Sequence, residues 1–359
     1  MSGPTHFSAD LLKIDADQAA ARIETAIRAI VADTLRRRGV VVGLSGGIDS
    51  SVCAALCARA LGPKRVLGLL MPDADSNPES LRLGRLVADS LGIEALLEDV
   101  GPVLDAAGCY RRRDDAIRQV IPEYATNWKC KIVLPDLLGR AAYALYSVVV
   151  RSPEGEERRA RLSRDAYLGV VAATNFKQRT RQMMAYYHAD RLQYAVVGTP
   201  NRLEYDQGFF VKGGDGLADL KPIAHLYKSQ VYQLAAYLGI PKEIQSRAPT
   251  TDTYSLHQSQ EEFYFSVPLQ TFDLCLLGRN SGVPAADVAA VVGLSADQVA
   301  RVYEMIDSKR KATRYLHLAA LLAEPVDQIS ANEPAGATPV VMHLPRGPQT
   351  TEGDPASIA

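Results

Sequence analysis

At 359 residues the chain is long enough for one large or two modest domains with a full core. A net charge of -1 with 23% charged residues argues against a nucleic-acid or membrane-surface protein steered by bulk charge. Five cysteines without paired spacing exclude a disulfide framework, and no leader or apolar run of membrane length is seen, so a soluble cytoplasmic enzyme is expected.

Residues 1–15 read as a flexible arm. From Asp17 to Arg38, apolar residues at helical spacing (Ala20, Ile23, Ile27, Val31, Leu35) predict an amphipathic helix. Gly39 to Val52 then reads G-V-V-V-G-L-S-G-G-I-D-S-S-V. Val40 to Val42 form a β-branched run suited to a buried parallel strand, Gly43 to Gly47 a turn, and Ile48 onward a helix. Such a turn gathers unpaired N–H groups and the positive end of a helix dipole, which makes an anion site. Ser45, Ser50 and Ser51 add hydroxyl donors, and Gly46 and Gly47 let phosphate oxygens approach the backbone. There is no G-K-S/T and no G-x-G-x-x-G, so the loop is neither the usual P-loop nor a dinucleotide fingerprint. On spacing alone, Asp49 is a cap for the helix.

The alternation continues with strands over 65–71 and 93–100 and a helix over 78–91, which implies a parallel sheet with helices on both faces. Its ligand belongs at the carboxyl ends of the strands. Residues 101–170 read as an insertion. Within it, Tyr110 to Arg113 reads as a solvated basic helix face, and 146–162 as a β-hairpin around a P-E-G turn. A helix led by Asn175, Arg179 and Arg181 follows, then a strand ending at Gly198-Thr199, with Glu204 shortly after. Gly208 to Pro222 carries Lys212, Asp215 and Asp219, and Leu226-Tyr-Lys228 opens another helix.

S-G-G-I-D-S is similar to the loop of the ATP pyrophosphatase (PP-loop) enzymes. The further pieces N-x-x-x-R-x-R, V-V-G-T, Glu204, K-G-G-D-G-L-A-D-L-K-P and L-Y-K stand in the order of the ammonia-dependent NAD synthetase family. The chain resembles that family over about residues 16–315. The resemblance implies a doubly wound α/β sheet of the adenine nucleotide alpha hydrolase-like, Rossmann-like class, with a helical C-terminal extension. The synthetase domain would cover 16–260 and the extension 261–322.

It also implies adenylation of deamido-NAD on its carboxylate, with ammonia then displacing AMP. By position, Leu44, Ser45, Gly46, Gly47, Asp49, Ser50, Ser51, Met71, Arg179, Thr199, Lys228 and Thr250 would bind ATP. Asn175, Lys212, Asp215, Asp219 and Lys309 would meet deamido-NAD, and Asp49, Lys212, Lys228 and Thr250 would carry catalysis. Asp49 and Glu204 would hold Mg2+, since paired carboxylates suit a hard cation that keeps several waters. A homodimer is implied, with ammonia free or supplied by a separate glutaminase, and no nucleic acid or membrane as partner.

The chain departs from the family pattern at Gln260, where an aspartate is usual, and at Ser308, where a histidine precedes Lys309-Arg310 in a segment expected to close over the site. His257 reads as a loop residue. These departures leave a PP-loop ligase for another carboxylate as the alternative, and a silent nucleotide-binding regulator as a third reading. Residues 285–306 resemble a helix-turn-helix, which in a near-neutral chain reads as a helical pair packed on the core. The Pro-, Gly- and Thr-rich segment 323–359 reads as disordered.

Overall fold

The computed structural model describes residues 7–133, 146–250, 253–265 and 267–324. Helix α1 (Ala16–Ala29) starts at Asp15, whose carboxylate accepts the Gln18 N–H, and runs into a π turn over Ile30–Thr34. β1 (Val40–Gly43) leads through the glycine loop into α2 (Ile48–Leu61), and β2 (Val66–Leu70), α3 (Pro78–Leu91) and β3 (Glu94–Leu97) continue the alternation. The third strand is shorter than predicted, because Val100 already turns into α4 (Gly101–Ala106).

In α5 (Cys109–Arg118) the expected solvated basic face is corrected. Arg111 and Arg112 are exposed, but Arg113 is buried and pairs with Asp75 and Asp114. Successive helix residues point about 100° apart, so a run of arginines cannot share one face. β4 (Lys129–Val133), β5 (Ser147–Arg151) and β6 (Glu157–Arg161) form a separate antiparallel sheet in the order β4-β5-β6. The predicted hairpin is β5–β6; β4 has no counterpart in the sequence reading.

α6 (Arg164–Leu192) is 29 residues long and begins at its N-cap Ser163, well before Asn175. β7 (Ala195–Val197), α7 (Arg202–Gln207), α8 (Lys228–Tyr237) and α9 (Lys242–Ser246) follow. α10 (Leu269–Asn280), α11 (Ala285–Val292) and α12 (Ala296–Thr313) complete the helices.

The main sheet is wholly parallel, in the order β3-β2-β1-β7. Val40 and Val42 pack with α1, α2 and α8 on one face, while Val41 packs with Ala185 and Ala189 of α6 on the other. Strand side chains alternate between faces, so an all-valine strand is what burial on both sides demands. The expected doubly wound sheet is therefore present. β1 and β7 are neighbours reached from opposite directions along the chain, and the crevice beyond their carboxyl ends is where such sheets bind ligands.

Helices α10 to α12 close a second core around Phe265, Phe272 and Val299, with Leu203 of α7 and Phe7 joining it. The helix pair over 285–306 thus packs on this core, and Ser308-Lys309-Arg310 lies inside α12 rather than in a separate segment. Of residues 1–15, Phe7 and Leu12 are buried, and Gln233 ties Leu12 and Ile14 to α8. Residues 1–6, and the tail beyond residue 324, lie outside the described residues. The chain separates into Met1–His317, which holds every element named above, and Leu318–Ala359. No helix among the described residues is long and apolar enough to cross a membrane.

Candidate active site

The glycine loop is built for close contact. Gly46 has φ +71°, and a Cβ there would meet the Ser80 carbonyl oxygen at 2.7 Å and Leu83 Cβ at 2.8 Å. Gly46→Ala is expected to cost about 1–3 kcal/mol, from left-handed strain plus the clash, and to weaken nucleotide binding. A melting curve and ATP titration of the variant check this; an unchanged loop would leave both at wild-type values. Gly47 is the N-cap of α2 and no side chain caps the helix, so Asp49 is not a cap. Ser45 Oγ lies 3.2 Å from Ser50 Oγ, and Ser51 Oγ donates to the Gly47 carbonyl at 2.8 Å.

Freed from capping, Asp49 turns into a cavity of about 490 Å³ at the ends of β1 and β7. Its Oδ2 accepts from Lys228 Nζ and its Oδ1 from Asn201 Nδ2 at 3.0 Å. Glu204 lines the same cavity. Its Oε2 accepts the Asn201 backbone N–H at 3.1 Å, and its Oε1 accepts Gln260 Nε2 at 2.9 Å. Loss of solvent around the carboxyl, then the facing Asp49 charge, push Glu204 up to about 7. Burial would lower the Lys228 amine, but Asp49 and Glu204 outweigh it and hold it above the ordinary lysine value.

This donor set fits a divalent cation. Asp49 and Glu204 crowd each other, and Gln260 Oε1 beside them is buried with no hydrogen-bond partner among the described residues. No cluster of three or more His, Cys, Asp or Glu suited to a metal occurs among the described residues. Two carboxylates supply only part of a divalent cation's shell, so phosphate oxygens and water would have to complete it.

The cavity gathers many of the residues singled out by sequence. Leu44, Ser45, Gly47, Asp49, Ser50 and Met71 line it from the first half of the chain. Asn175, Thr199, Glu204, Asp215, Lys228 and Thr250 line it from the second. Other expected residues point elsewhere. Gly46 backs onto α3, and Ser51 is fully buried in α2. Exposed Arg179 donates to the Lys212 carbonyl at 3.3 Å. Lys212 Nζ donates to the Tyr315 carbonyl at 2.8 Å. Asp219 accepts the Val196 N–H at 2.7 Å, a sheet-edge contact. Lys309 donates to the Tyr264 carbonyl, with its amine 3.8 Å from the Tyr264 ring centroid; burial lowers that amine to about 7. His257 is exposed.

Sequence reasoning missed three residues here: Asn201, Gln260 as a partner of Glu204, and Lys177. Lys177 lies inside the N-x-x-x-R-x-R motif and is 1% exposed. Its Nζ donates to Asp73 at 3.1 Å, Asp75 at 2.7 Å and the Thr253 carbonyl at 2.9 Å. Arg181 joins the same group through Asp73 at 2.6 Å and the Met71 carbonyl at 3.0 Å. The loop after β2, which forms one wall of the cavity, is thus anchored by cations from α5 and α6.

A glycine loop between a buried parallel strand and a helix, facing a carboxylate pair and a buried lysine, defines a nucleotide-binding α/β protein of the PP-loop class. The sequence profile described as NAD synthase matches residues 19–122 and 158–314. The NH(3)-dependent NAD(+) synthetase of Rhizobium meliloti (strain 1021) is 60% identical over 323 residues, 90% of this chain and 96% of that protein. The protein of the same name from Thermotoga maritima is 31% identical over 277 residues, 76% of this chain and 90% of that one. The chain belongs to the NAD synthase family. Among solved structures, the NH3-dependent NAD synthetase of Campylobacter jejuni aligns over 87% of this chain and all of its own, with 22% identity and TM-score 0.56. The NMN synthetase of Francisella tularensis gives TM-score 0.59 at 22% identity, covering 86% of this chain and 99% of that one. At that identity the likeness shows the fold alone. The profile passes over residues 123–157, which hold β4, β5 and the turn into β6.

Proposed function

We propose that this chain makes NAD from deamido-NAD, ATP and ammonia, releasing AMP and pyrophosphate. The observation that carries the reading is the convergence of Asp49, Glu204 and Lys228 on the glycine loop, in a chain 60% identical to a curated NH(3)-dependent NAD(+) synthetase. The nicotinate carboxylate attacks the α-phosphorus, the bond to the bridging oxygen breaks, and pyrophosphate leaves. Ammonia then attacks the carbonyl carbon, AMP leaves with the bonding pair, and the nitrogen loses a proton.

In this reading the loop N–H groups with Ser45 and Ser50 take the departing pyrophosphate. Lys228, a fixed charge in a cavity poor in water, stabilises the oxygens of the α-phosphorus as charge develops there. Thr199, Thr250, Leu44 and Met71 contact ATP, while Asn175 and Asp215 face deamido-NAD. Asp49 and Glu204 would hold Mg2+, which supplies Lewis-acid polarisation of phosphate oxygens when bound. Lys212, Asp219, Lys309 and Arg179 point away from the cavity within one subunit. They would have to act from its rim or across a homodimer, where exposed Met183 and Tyr187 of α6 offer apolar surface. A cytoplasmic setting, with ammonia free or passed from a separate glutaminase, belongs to the same reading.

Pyrophosphate release with ATP, Mg2+ and ammonium, measured with and without deamido-NAD, tests it. Release should depend on deamido-NAD, be matched by NAD formed, and vanish in Asp49→Ala. Release that needs a different carboxylate would move the assignment to another amide ligase.

A further inference from the structure

Asp49 and Glu204 lie at two different strand ends, yet one residue touches both. Asn201 is 1% exposed. Its backbone N–H donates to Glu204 Oε2 at 3.1 Å, and its carbonyl accepts the Tyr205 N–H at 2.9 Å. Its Oδ1 accepts the N–H groups of Leu203 at 2.9 Å and Glu204 at 3.2 Å, while Nδ2 donates to Asp49 Oδ1 at 3.0 Å. Two backbone donors on Oδ1 fix the amide orientation, so Nδ2 has to face Asp49.

A capping box for α7 explains the bonds to Oδ1 and to Glu204 Oε2. It does not call for Nδ2, which reaches a residue 152 positions away. Asp49 already has Lys228 on its other oxygen, and Glu204 has Gln260 on its own. Asn201 is therefore the group that ties one carboxylate to the other. Its side-chain amide holds Asp49 and its backbone N–H holds Glu204, so a single residue fixes one oxygen of each carboxylate. Serine at 201 would cap the helix about as well and threonine a little less well, but both would lack the second donor.

We propose that Asn201 is a positioning residue that sets the spacing of Asp49 and Glu204 for a divalent cation. The proposal rests on the reading of those two carboxylates as the cation's protein ligands. Partners that orient metal-bound carboxylates are worth roughly 10- to 100-fold in metal affinity when removed.

The test measures Mn2+ binding by electron paramagnetic resonance in the presence of a non-hydrolysable ATP analogue. Wild type is compared with Asn201→Ser, Asn201→Thr and Asp49→Ala. Because serine and threonine keep the cap, analogue affinity without metal should stay at the wild-type value in both variants, while Mn2+ affinity falls about tenfold or more. Asp49→Ala should lose Mn2+ altogether. Mn2+ affinity within about twofold of wild type in Asn201→Ser, with Asp49→Ala inactive in binding, would overturn the proposal. So would a parallel loss of metal-free analogue binding, which would make the residue's role one of folding. Mn2+ retained in Asp49→Ala would instead remove the cation site from which the proposal starts, whatever acid the enzyme amidates.

Discussion

Lys228→Met is expected to lower the rate of deamido-NAD-dependent pyrophosphate release by about 100- to 1000-fold, the usual effect of removing one preorganised electrostatic donor. Methionine matches the length of the stem but carries no charge. Lys228 is 2% exposed, and its backbone N–H is itself held by Asp273 Oδ1 at 3.1 Å. Its amine is therefore placed by the fold before any substrate arrives. The substitution acts in two ways. It removes the cation that the proposed function sets against the phosphates, and it leaves Asp49 and Glu204 without the charge that offsets them. The first effect appears in kcat at saturating ATP; the second appears as lower thermal stability of the free protein, because an unpaired buried carboxylate is costly. Saturation kinetics beside a melting curve separate them. A kcat within about tenfold of wild type, with stability lost, would reduce Lys228 to a counter-ion for Asp49.

The parts of this site that could be read from sequence are those whose geometry is local. A valine run, a small-residue turn and a helix start fix where Ser45, Gly47, Asp49 and Ser50 go, because about a dozen consecutive residues make the whole unit. What joins that unit to the rest is set by contacts far apart in the chain. Asn201 meets Asp49 across 152 positions and Lys228 meets it across 179. No periodicity encodes such a meeting.

The motif on α6 shows a different limit. Lys177, Arg179 and Arg181 sit within five residues of one another, yet Lys177 is buried, Arg179 is exposed and Arg181 reaches the cavity. Their faces depend on a helix that starts at Ser163 and is packed on more than one side, which flattens the amphipathic pattern. Asp219 and Lys212 likewise stand in a recognisable run, but the backbone turns each toward a carbonyl or N–H of its own fold. Strand β4 escaped notice for a related reason. Lys129-Cys-Lys-Ile-Val alternates properly, but its partner β5 is not joined to it by a short turn.

Lys177→Met is expected to destabilise the protein by about 3–5 kcal/mol, the range seen when one member of a buried ion pair is removed. Lys177, Arg113 and Arg181 face Asp73, Asp75 and Asp114, so the buried group balances at three charges of each sign. Asp73 shows how much depends on that balance: burial would raise its carboxyl, yet Lys177 and Arg181 hold it below the ordinary value. Taking Lys177 away leaves Arg181 alone on Asp73 and Arg113 shared between Asp75 and Asp114, with one negative charge in excess. A loss of this size is a large share of the roughly 5–15 kcal/mol that holds a typical domain together. Urea unfolding of the variant measures it. Adding Asp75→Asn to Lys177→Met should recover part of the loss, because the excess charge is removed while Arg113 keeps Asp114. A loss below about 1 kcal/mol would mean that the group behaves like a solvated surface pair. Recovery of stability by Asp75→Asn, with ATP affinity measured below the wild-type value, would place a further role of Lys177 in its bond to the Thr253 carbonyl, which ties the loop after β2 to the chain just beyond Thr250.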